Sequence, residues 1–182
     1  MRHAQDHQAM LATWQRHTHA EFVLKDADAA LVTMTDNPYV ICVPSGTSGV
    51  GRAGVHAYYA EQFLPCIPPD FELESVSQIF GGNHIVEEFV VRFTHTLAMD
   101  WMLPGVPATG RKTEFAFVGV IRFEAGKIAS EHLHWDQAAV LAQLGALHRV
   151  TAIGVRSAAR LLRLAAPQPA NDSLPQEMKR AI

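Results

Sequence analysis

Hydrophobic and polar residues alternate along residues 126–135, which read GKIASEHLHW. Alternation with a period of two is typical of a β-strand with one buried face. One face of this strand carries Ala129, Glu131, Leu133 and Trp135, and the other carries Ile128, Ser130, His132 and His134. The first face has the bulkier apolar groups, so we expect it to face the core. Asp136 follows and is predicted to cap a helix that begins at Gln137.

Helical periodicity dominates the first third of the chain, and strand periodicity dominates most of the rest. Helices are predicted at residues 4–25, 27–32 and 52–63. Further strands are predicted at residues 39–43, 71–80, 84–97 and 113–123. Short turns at 81–83 and 124–127 imply that the strands they join are antiparallel. The Gly/Ser-rich residues 44–51 are predicted to form a turn, and no Lys follows their last Gly as a phosphate-binding loop requires.

The strands at 84–97 and 113–123 each have one phenylalanine-rich face. These faces carry Phe89, Val91, Phe93 and His95 in one strand and Phe115, Phe117, Gly119, Ile121 and Phe123 in the other. We expect both to look into the core, beneath helices that cover one side of a curved sheet. The opposite faces mix valines with charged residues, namely Val90, Val118, Val120, Arg92, Glu114 and Arg122. This mixed face is predicted to form a dimer interface.

The segment MDWMLPGVPATG, residues 99–110, is a loop rich in apolar residues and proline. Apolar residues in a loop usually cover something. Two interpretations fit: the loop is a lid over the mouth of a cavity, or it packs against a neighbouring subunit.

Length and composition suit one folded domain followed by an extension. The chain has 182 residues, of which 48% are hydrophobic and 18% charged. We predict an α+β domain at residues 1–147, an amphipathic helix at 148–166 and a disordered tail at 167–182. Residues 154–164 of this helix contain three arginines, and we expect the helix to dock on the protein itself or on its dimer mate rather than on a membrane.

Charge and hydropathy argue against two classes of partner. A net charge of −3 without a long Lys/Arg run disfavours nucleic acid. No apolar run approaches the roughly 20 residues of a membrane span, and the N-terminus has no secretory segment, so a cytoplasmic protein is expected. Cys42 and Cys66 lack the spacing of metal ligands.

The order of elements and the motif GKIxxEHxxWDQxxxLxQLG resemble the nuclear transport factor 2-like superfamily, most closely its SnoaL-like branch. The resemblance covers roughly residues 4–147. It implies a cone-shaped barrel made of a curved mixed or antiparallel sheet, with the N-terminal helices packed over its concave face. It also implies a homodimer whose pocket binds a small, largely apolar molecule. The superfamily includes polyketide cyclases, ketosteroid isomerases and dehydratases, together with members that only bind or scaffold, so the fold does not decide the chemistry.

The resemblance places the acid/base aspartate of the cyclase branch three residues before Asp136, where this chain has Leu133. Leucine cannot transfer a proton. The nearest acidic candidate is Glu131, two residues earlier on the same face.

The first functional hypothesis is an enzyme without cofactor or metal that acts on an apolar ketone or lactone, with Glu131 and His95 as the acid/base pair. An apolar wall around a carboxyl group raises its pKa and makes it a better base. The expected substrate-binding residues are Trp14, Tyr39, Tyr58, Phe93, Asp100, Trp101, Phe115, Phe117, Leu133 and Trp135.

Other interpretations stay open. Glu131 is also compatible with a paired structural acid, and His95 with a hydrogen-bonded residue at a strand end. The alternative function is a ligand-binding or dimeric scaffold protein without turnover, which Leu133 favours. His132 and His134 are two apart on one face, but no third ligand follows at metal spacing. A nucleophilic hydrolase is disfavoured because the chain has no GxSxG motif. An arginine partner for Glu131 would indicate a structural role, and proximity to His95 would indicate catalysis.

Overall fold

A computed structural model describes residues 2–147 of the chain. The helices are α1 (Arg2–His19), α2 (Ala27–Val32), α3 (Gly51–Ala57) and α4 (Gln137–Gln143). Two of them continue as π-helical turns: α1 through Ala20–Leu24, and α3 through Tyr58–Phe63 followed by the 3-10 turn Leu64–Cys66. None of these helices is long and apolar enough to cross a membrane. The predicted helix at 148–166 and tail at 167–182 lie outside the described residues.

Six strands form one open, curved sheet. They are β1 (Met34–Cys42), β2 (Thr47–Val50), β3 (Glu72–Gly81), β4 (His84–Thr94), β5 (Lys112–Glu124) and β6 (Lys127–Trp135). Their order is β2-β1-β6-β5-β4-β3. All pairs are antiparallel except β1 with β6, which is parallel, so the sheet is mixed. The helices pack on its concave face, which confirms the predicted α+β fold.

The aspartate cap that the sequence predicts at Asp136 is formed, and a second one is found at Asp26. Asp136 accepts a hydrogen bond from the backbone N–H of Ala139 at the start of α4, and Asp26 accepts one from Ala29 at the start of α2. Each cap satisfies a backbone donor that the helix itself leaves unpaired. The predicted strands 71–80, 84–97 and 113–123 correspond to β3, β4 and β5.

The prediction of a turn over residues 44–51 is wrong for its second half, because Thr47–Val50 forms the edge strand β2. The reason is a close approach that sequence periodicity does not show. A Cβ atom at Gly49 would lie 2.7 Å from the Cα of Val55, so only glycine lets β2 lie against α3. β1 also begins earlier than predicted, at Met34.

Strict alternation along β6 fails at Ile128, which was expected on the outer face. Ile128 is fully buried and pairs with Phe123, whereas Glu131 pairs with Ile121. The extra residue of β6 between these pairs, Ala129, is a β-bulge that turns Ile128 toward the core. Beyond the bulge the predicted parity holds, and Glu131 faces inward.

The loop at residues 99–110 packs into the core of its own chain. Its buried side chains are Met99, Trp101, Met102, Leu103 and Val106. The hydroxyl groups of Ser45 and Thr47 donate to the carbonyl oxygen of Trp101 at 2.8 Å and 2.6 Å. The loop is therefore fixed against the β1–β2 turn, and Trp101 forms part of the interior wall.

Candidate functional site

An apolar cavity lies between the concave face of the sheet and the helices. The helices contribute Trp14, Glu21, Phe22, Tyr58, Tyr59 and Phe63, and the sheet contributes Val40, Phe89, Phe117, Gly119, Glu131 and Leu133. About 30 Å³ is open to the centre of a water molecule, which is room for a few waters. A larger ligand enters only if side chains rotate.

The mouth of the cavity lies between the end of α1 and β3. The lining residues there are half-buried, and they are Thr18, Phe22, Phe71 and Leu73. The rings of Phe22 and Phe71 stack with their centroids 5.6 Å apart and an interplanar angle of 8°. This stacked pair forms part of the rim of the cavity.

Four polar side chains meet at the wall of this apolar cavity. The Nε2 atom of His17 lies 2.9 Å from Oε1 of Glu131, 3.3 Å from Oε1 of Glu21 and 3.2 Å from the hydroxyl oxygen of Tyr59. The Tyr59 hydroxyl donates to Oε1 of Glu131 at 3.1 Å. We call these four residues the His17 cluster. All are buried, and three of them, Glu21, Tyr59 and Glu131, line the cavity.

Three separate elements bring the cluster together. His17 in α1 and Glu21 in the π-helical turn that extends it are four residues apart and share the inward face. Tyr59 comes from the extension of α3. Glu131 lies at the centre of the sheet, where β6 pairs with Val40 of β1 and Ile121 of β5. The site therefore exists only in the folded chain.

The other nitrogen of His17 fixes the orientation of the ring. The Thr33 hydroxyl donates to the carbonyl oxygen of Ala30 at 2.6 Å, so its oxygen is free to accept from Nδ1 of His17 at 2.7 Å. Nδ1 therefore carries a hydrogen, and Nε2 is directed at the carboxyl groups. Burial disfavours a charged imidazole, but the carboxylates of Glu131 and Glu21 outweigh it and raise the pKa of His17 well above its ordinary value.

The remaining members of the cluster differ in how they hold their protons. Burial, with the charge of Glu131 beside it, raises the pKa of Glu21 although His17 opposes the shift. Burial likewise raises the pKa of Tyr59, so its phenol stays a neutral donor. The wall thus carries an imidazole with a raised pKa, a carboxyl group that holds its proton to a higher pH than usual and a phenol donor around the carboxyl group of Glu131. Such a set can accept a proton at one atom and donate one at another.

The same cluster offers three atoms that could ligate a metal ion. One atom each from His17, Glu21 and Glu131 lie within 4.8 Å of one another, which is a plausible ligand set for a divalent ion. In this structure the Nε2 atom of His17 already makes charge-assisted contacts with both carboxyl groups. The two carboxyl groups are therefore already partnered by His17 within the cluster. The predicted pair His132 and His134 is half-buried on the convex face.

Half of the predicted substrate-binding residues line the cavity: Trp14, Tyr58, Trp101, Phe117 and Leu133. Phe93, Phe115 and Trp135 are buried on the same face but lie behind the wall. The Tyr39 hydroxyl contacts His132 instead. Asp100 is exposed, and its carboxylate accepts from the backbone N–H of Gly105.

The structure does not bring His95 to Glu131. Through the sheet register Glu131 is level with Ile85 at the beginning of β4, whereas His95 follows the last residue of that strand. Nδ1 of His95 contacts the Thr109 hydroxyl at 3.2 Å, and its buried Nε2 has no partner among residues 2–147. No arginine or lysine in this part of the chain pairs with Glu131 either.

Sequence reasoning missed His17, Glu21 and Tyr59 as functional candidates. A histidine and a glutamate four residues apart on the buried face of an amphipathic helix are the signal that could have found the first two. Glu87 is a further buried acid that was missed. It accepts hydrogen bonds from the Trp14 indole at 2.5 Å, the Ser75 hydroxyl at 2.5 Å and the Gln78 amide at 2.9 Å.

Comparison with known proteins agrees with this architecture. A putative SnoaL-like polyketide cyclase from Jannaschia sp. CCS1 is 20% identical with a TM-score of 0.62, and 76% of this chain and 93% of that chain are covered. IdmH, a putative polyketide cyclase from Streptomyces antibioticus, is 22% identical with a TM-score of 0.57, covering 75% and 98%. An NTF2-like protein of unknown function from Burkholderia pseudomallei is 20% identical with a TM-score of 0.57, covering 75% and 97%. No curated protein matches the chain.

These low identities establish a shared fold. The family assignment comes from the sequence itself, because the SnoaL-like domain matches residues 7–131, which include most of α1, Glu131 and the other cavity-lining residues except Leu133. The predicted resemblance to the SnoaL-like branch is thereby confirmed. The chain belongs to the family of SnoaL-like domains.

Proposed function

We propose that this protein binds a small, largely apolar molecule with a carbonyl group in its cavity and transfers a proton on it. The reaction class is isomerisation, cyclisation, dehydration or lactone hydrolysis without a cofactor. Polyketide cyclases among the proteins of similar fold are consistent with this class. The observation that carries the proposal is the His17 cluster at the wall of an apolar cavity.

Glu131 is the proposed base. Among the described residues its hydrogen bonds to His17 and Tyr59 all go to Oε1, which leaves Oε2 to take a proton from the substrate. The Glu21 carboxyl group and the Tyr59 hydroxyl are the proposed donors to the oxygen on which charge develops. His17 lies behind them, and its contact with Oε1 holds the Glu131 carboxyl group in place.

In this assignment the partners of Glu131 are Glu21 and Tyr59, and not His95 as the sequence suggests. The change follows from geometry, since a proton donor must lie within hydrogen-bond reach of the reacting atoms. Leu133, at the position where the resemblance places an aspartate, lines the cavity and contributes apolar surface. The proposed acid/base function therefore moves from that position to Glu131 and α1.

A ligand-binding or scaffold protein without turnover is the second candidate. The specific observation that favours it is the narrow cavity, in which the His17 cluster is already internally hydrogen-bonded. In this case the cluster serves as a polar anchor for a ligand and no bond is made or broken.

Hydrogen–deuterium exchange separates the two candidates. The probe is 6-methoxy-2-acetylnaphthalene in D2O, and NMR follows the loss of its acetyl protons. We expect the wild-type protein to accelerate exchange and Glu131→Gln to reduce the rate by about 100-fold or more. Glu114→Gln is the matched control, because this exposed glutamate pairs with Arg92 outside the cavity. If wild type exchanges the acetyl protons of this probe, and the corresponding protons of a set of other apolar ketones, no faster than buffer does, the proposed proton transfer is wrong. The second candidate, a ligand-binding protein without turnover, would then stand.

We further propose a homodimer that forms through the convex face of the sheet. The half-buried valines Val90, Val118 and Val120 support it, since they form an apolar strip across β4 and β5. His132 and His134 of β6 pair with Val120 and Val118 and extend the strip.

A further inference from the structure

Trp101 has a buried hydrogen-bond donor without an acceptor. Its side chain lines the cavity and is 2% exposed, yet its Nε1 atom has no hydrogen-bond partner among residues 2–147. The other two tryptophans differ in this respect. The indole of Trp14 donates to Glu87, and that of Trp135 donates to Gln137. A buried indole N–H usually finds a partner, so its absence calls for an explanation.

A small rotation of the loop does not bring an acceptor to the indole N–H of Trp101, because hydrogen bonds hold the loop in place. Ser45 and Thr47 both donate to the backbone oxygen of Trp101. The Gln137 amide donates to the carbonyl oxygen of the next residue, Met102, at 2.9 Å. The indole ring itself packs edge-on against Phe63, with centroids 4.9 Å apart. The donor is therefore held in place before any ligand arrives, which is the arrangement of a preorganised binding group.

Trp101 and the His17 cluster occupy separate parts of the cavity wall. Glu131 and Trp135 are on the same face of β6 and four residues apart, which corresponds to about 13 Å along a strand. The Trp101 ring lies 6.2 Å from that of Trp135 and 4.9 Å from that of Phe63, which in turn lies 5.7 Å from the Tyr59 ring. Phe63 therefore separates Trp101 from the cluster on the helix side, and Leu133 and Gly119 form an apolar wall on the sheet side.

We propose that the Trp101 indole N–H binds an oxygen acceptor of the ligand, and that the ligand is an elongated apolar molecule with two oxygen functions. One oxygen function, the carbonyl, lies at the His17 cluster, and this half rests on the proposed function. The second is a neutral ether, carbonyl or hydroxyl oxygen at Trp101. An indole can only donate, so the ligand must accept there. The neighbours of Trp101 are the rings of Phe63 and Trp135, which favours a neutral oxygen over a charged one.

Two isosteric probes test this directly: 6-methoxy-2-acetylnaphthalene and 6-ethyl-2-acetylnaphthalene. They share an acetyl group and differ in whether an ether oxygen or a methylene group faces Trp101. We expect the wild-type protein to bind the methoxy probe about tenfold more tightly, as measured by probe fluorescence, because one net hydrogen bond contributes about that factor. Trp101→Phe should bind both probes equally. Trp135→Phe, which removes an indole that already has a partner, should keep the preference.

A second measurement needs no substitution in the tested protein. The chain has three tryptophans, so nitrogen-15 NMR shows three indole signals. We expect the Trp101 signal, identified by its loss in Trp101→Phe, to shift downfield with the methoxy probe and not with the ethyl probe. Equal affinities in wild type, binding of neither probe, or an unshifted Trp101 signal would each overturn the proposal. If wild type prefers the methoxy probe but does not catalyse deuterium exchange, the proposal for Trp101 stands and the proposed catalysis is wrong.

Discussion

The Nε2 atom of His17 lies 2.9 Å from Oε1 of Glu131, and both side chains are closed off from solvent. A buried carboxylate without a positive partner is costly, and here the partner is an imidazole that can gain or lose its proton near neutral pH. An arginine at this place would have stayed positively charged across the whole physiological pH range. The histidine instead makes the charge of the cavity wall depend on pH.

Stability should therefore fall as the pH rises above neutral. His17 has a raised pKa in the folded protein, so its contribution is fully present below the ordinary pKa of 6.5 and is lost as the pH rises through the folded value. Glu21, in the turn that extends α1, acts in the same direction from its ordinary pKa of 4.5 upward, because its pKa is also raised and the folded state holds its proton longer. We expect urea unfolding between about pH 7 and 8.5 to show a decline of at most about 1.4 kcal/mol per pH unit for each extra proton held.

The variant His17→Gln is the control for this prediction. His84, His95, His132 and His134 have pKa values lowered by burial, so they destabilise the folded state only as the pH falls below about 6.5. Above that pH the difference between wild type and His17→Gln isolates the cluster formed with Glu21, Glu131 and Tyr59. A wild-type stability that stays flat or rises over this range would contradict the assignment of a protonated His17.

The Trp14–Glu87 hydrogen bond should be among the stronger side-chain contacts of the fold. It joins α1 to β4 inside the core, and the Trp14 ring stacks on His17 with centroids 5.7 Å apart. Because the acceptor is a carboxylate, a double-mutant cycle of Trp14→Phe and Glu87→Leu should give a coupling of about 1.5–3 kcal/mol in the free energy of unfolding. The exposed neighbour Glu88, which accepts from Ser77, provides the comparison. Trp14→Phe with Glu88→Leu should be additive, and equal coupling in both cycles would refute the contact.

The sequence predicts the part of the site that obeys a strand period and misses the part that depends on tertiary contacts. Alternation along β6 identified Glu131 as an inward acid because a period of two fixes the face of every residue beyond the bulge. It could not identify the partner of Glu131, since His95 and His17 are both compatible with an inward position. Only the crossing of α1 over the sheet decides between them. The edge strand β2 was missed for a related reason, because its glycine is explained by the approach of α3.

The proposed dimer can be tested on the convex face. Val118 is half-buried on that face, where it pairs with Glu88 of β4 and His134 of β6. Val118→Glu should shift the protein from dimer to monomer in sedimentation velocity, since the new carboxylate lies opposite Glu88 and a buried charge without an opposite partner opposes association. Val76→Glu is the control, because that side chain is 60% exposed and lies on the edge strand β3, two strands away from β5. A monomeric wild type, or a dimer that survives Val118→Glu, would contradict this interface.

Two glycines at the junction of β2 and α3 should respond in opposite ways to alanine. A Cβ at Gly49 would lie 2.7 Å from the Cα of Val55 and 2.8 Å from the carbonyl oxygen of Gly54, both of them backbone atoms that cannot move without displacing α3. Gly49→Ala should therefore destabilise the protein by about 1–3 kcal/mol. At Gly54 the nearest atom to the added methyl group would be 3.9 Å away, in ordinary contact. Gly54→Ala should stabilise by about 0.5–1 kcal/mol, because alanine is the better helix former.

The same pair of variants connects this junction to the His17 cluster. α3 continues directly into the turn that carries Tyr59, whose hydroxyl lies 3.2 Å from His17 and 3.1 Å from Glu131. A shift of α3 in Gly49→Ala should pull Tyr59 away and alter the pH at which His17 titrates by NMR, whereas Gly54→Ala should leave it unchanged. Destabilisation by Gly49→Ala with an unaltered His17 titration would show that the cluster does not depend on the position of α3. An altered titration of His17 in both variants would show that the cluster responds to changes in α3 that the close approach of Gly49 does not explain.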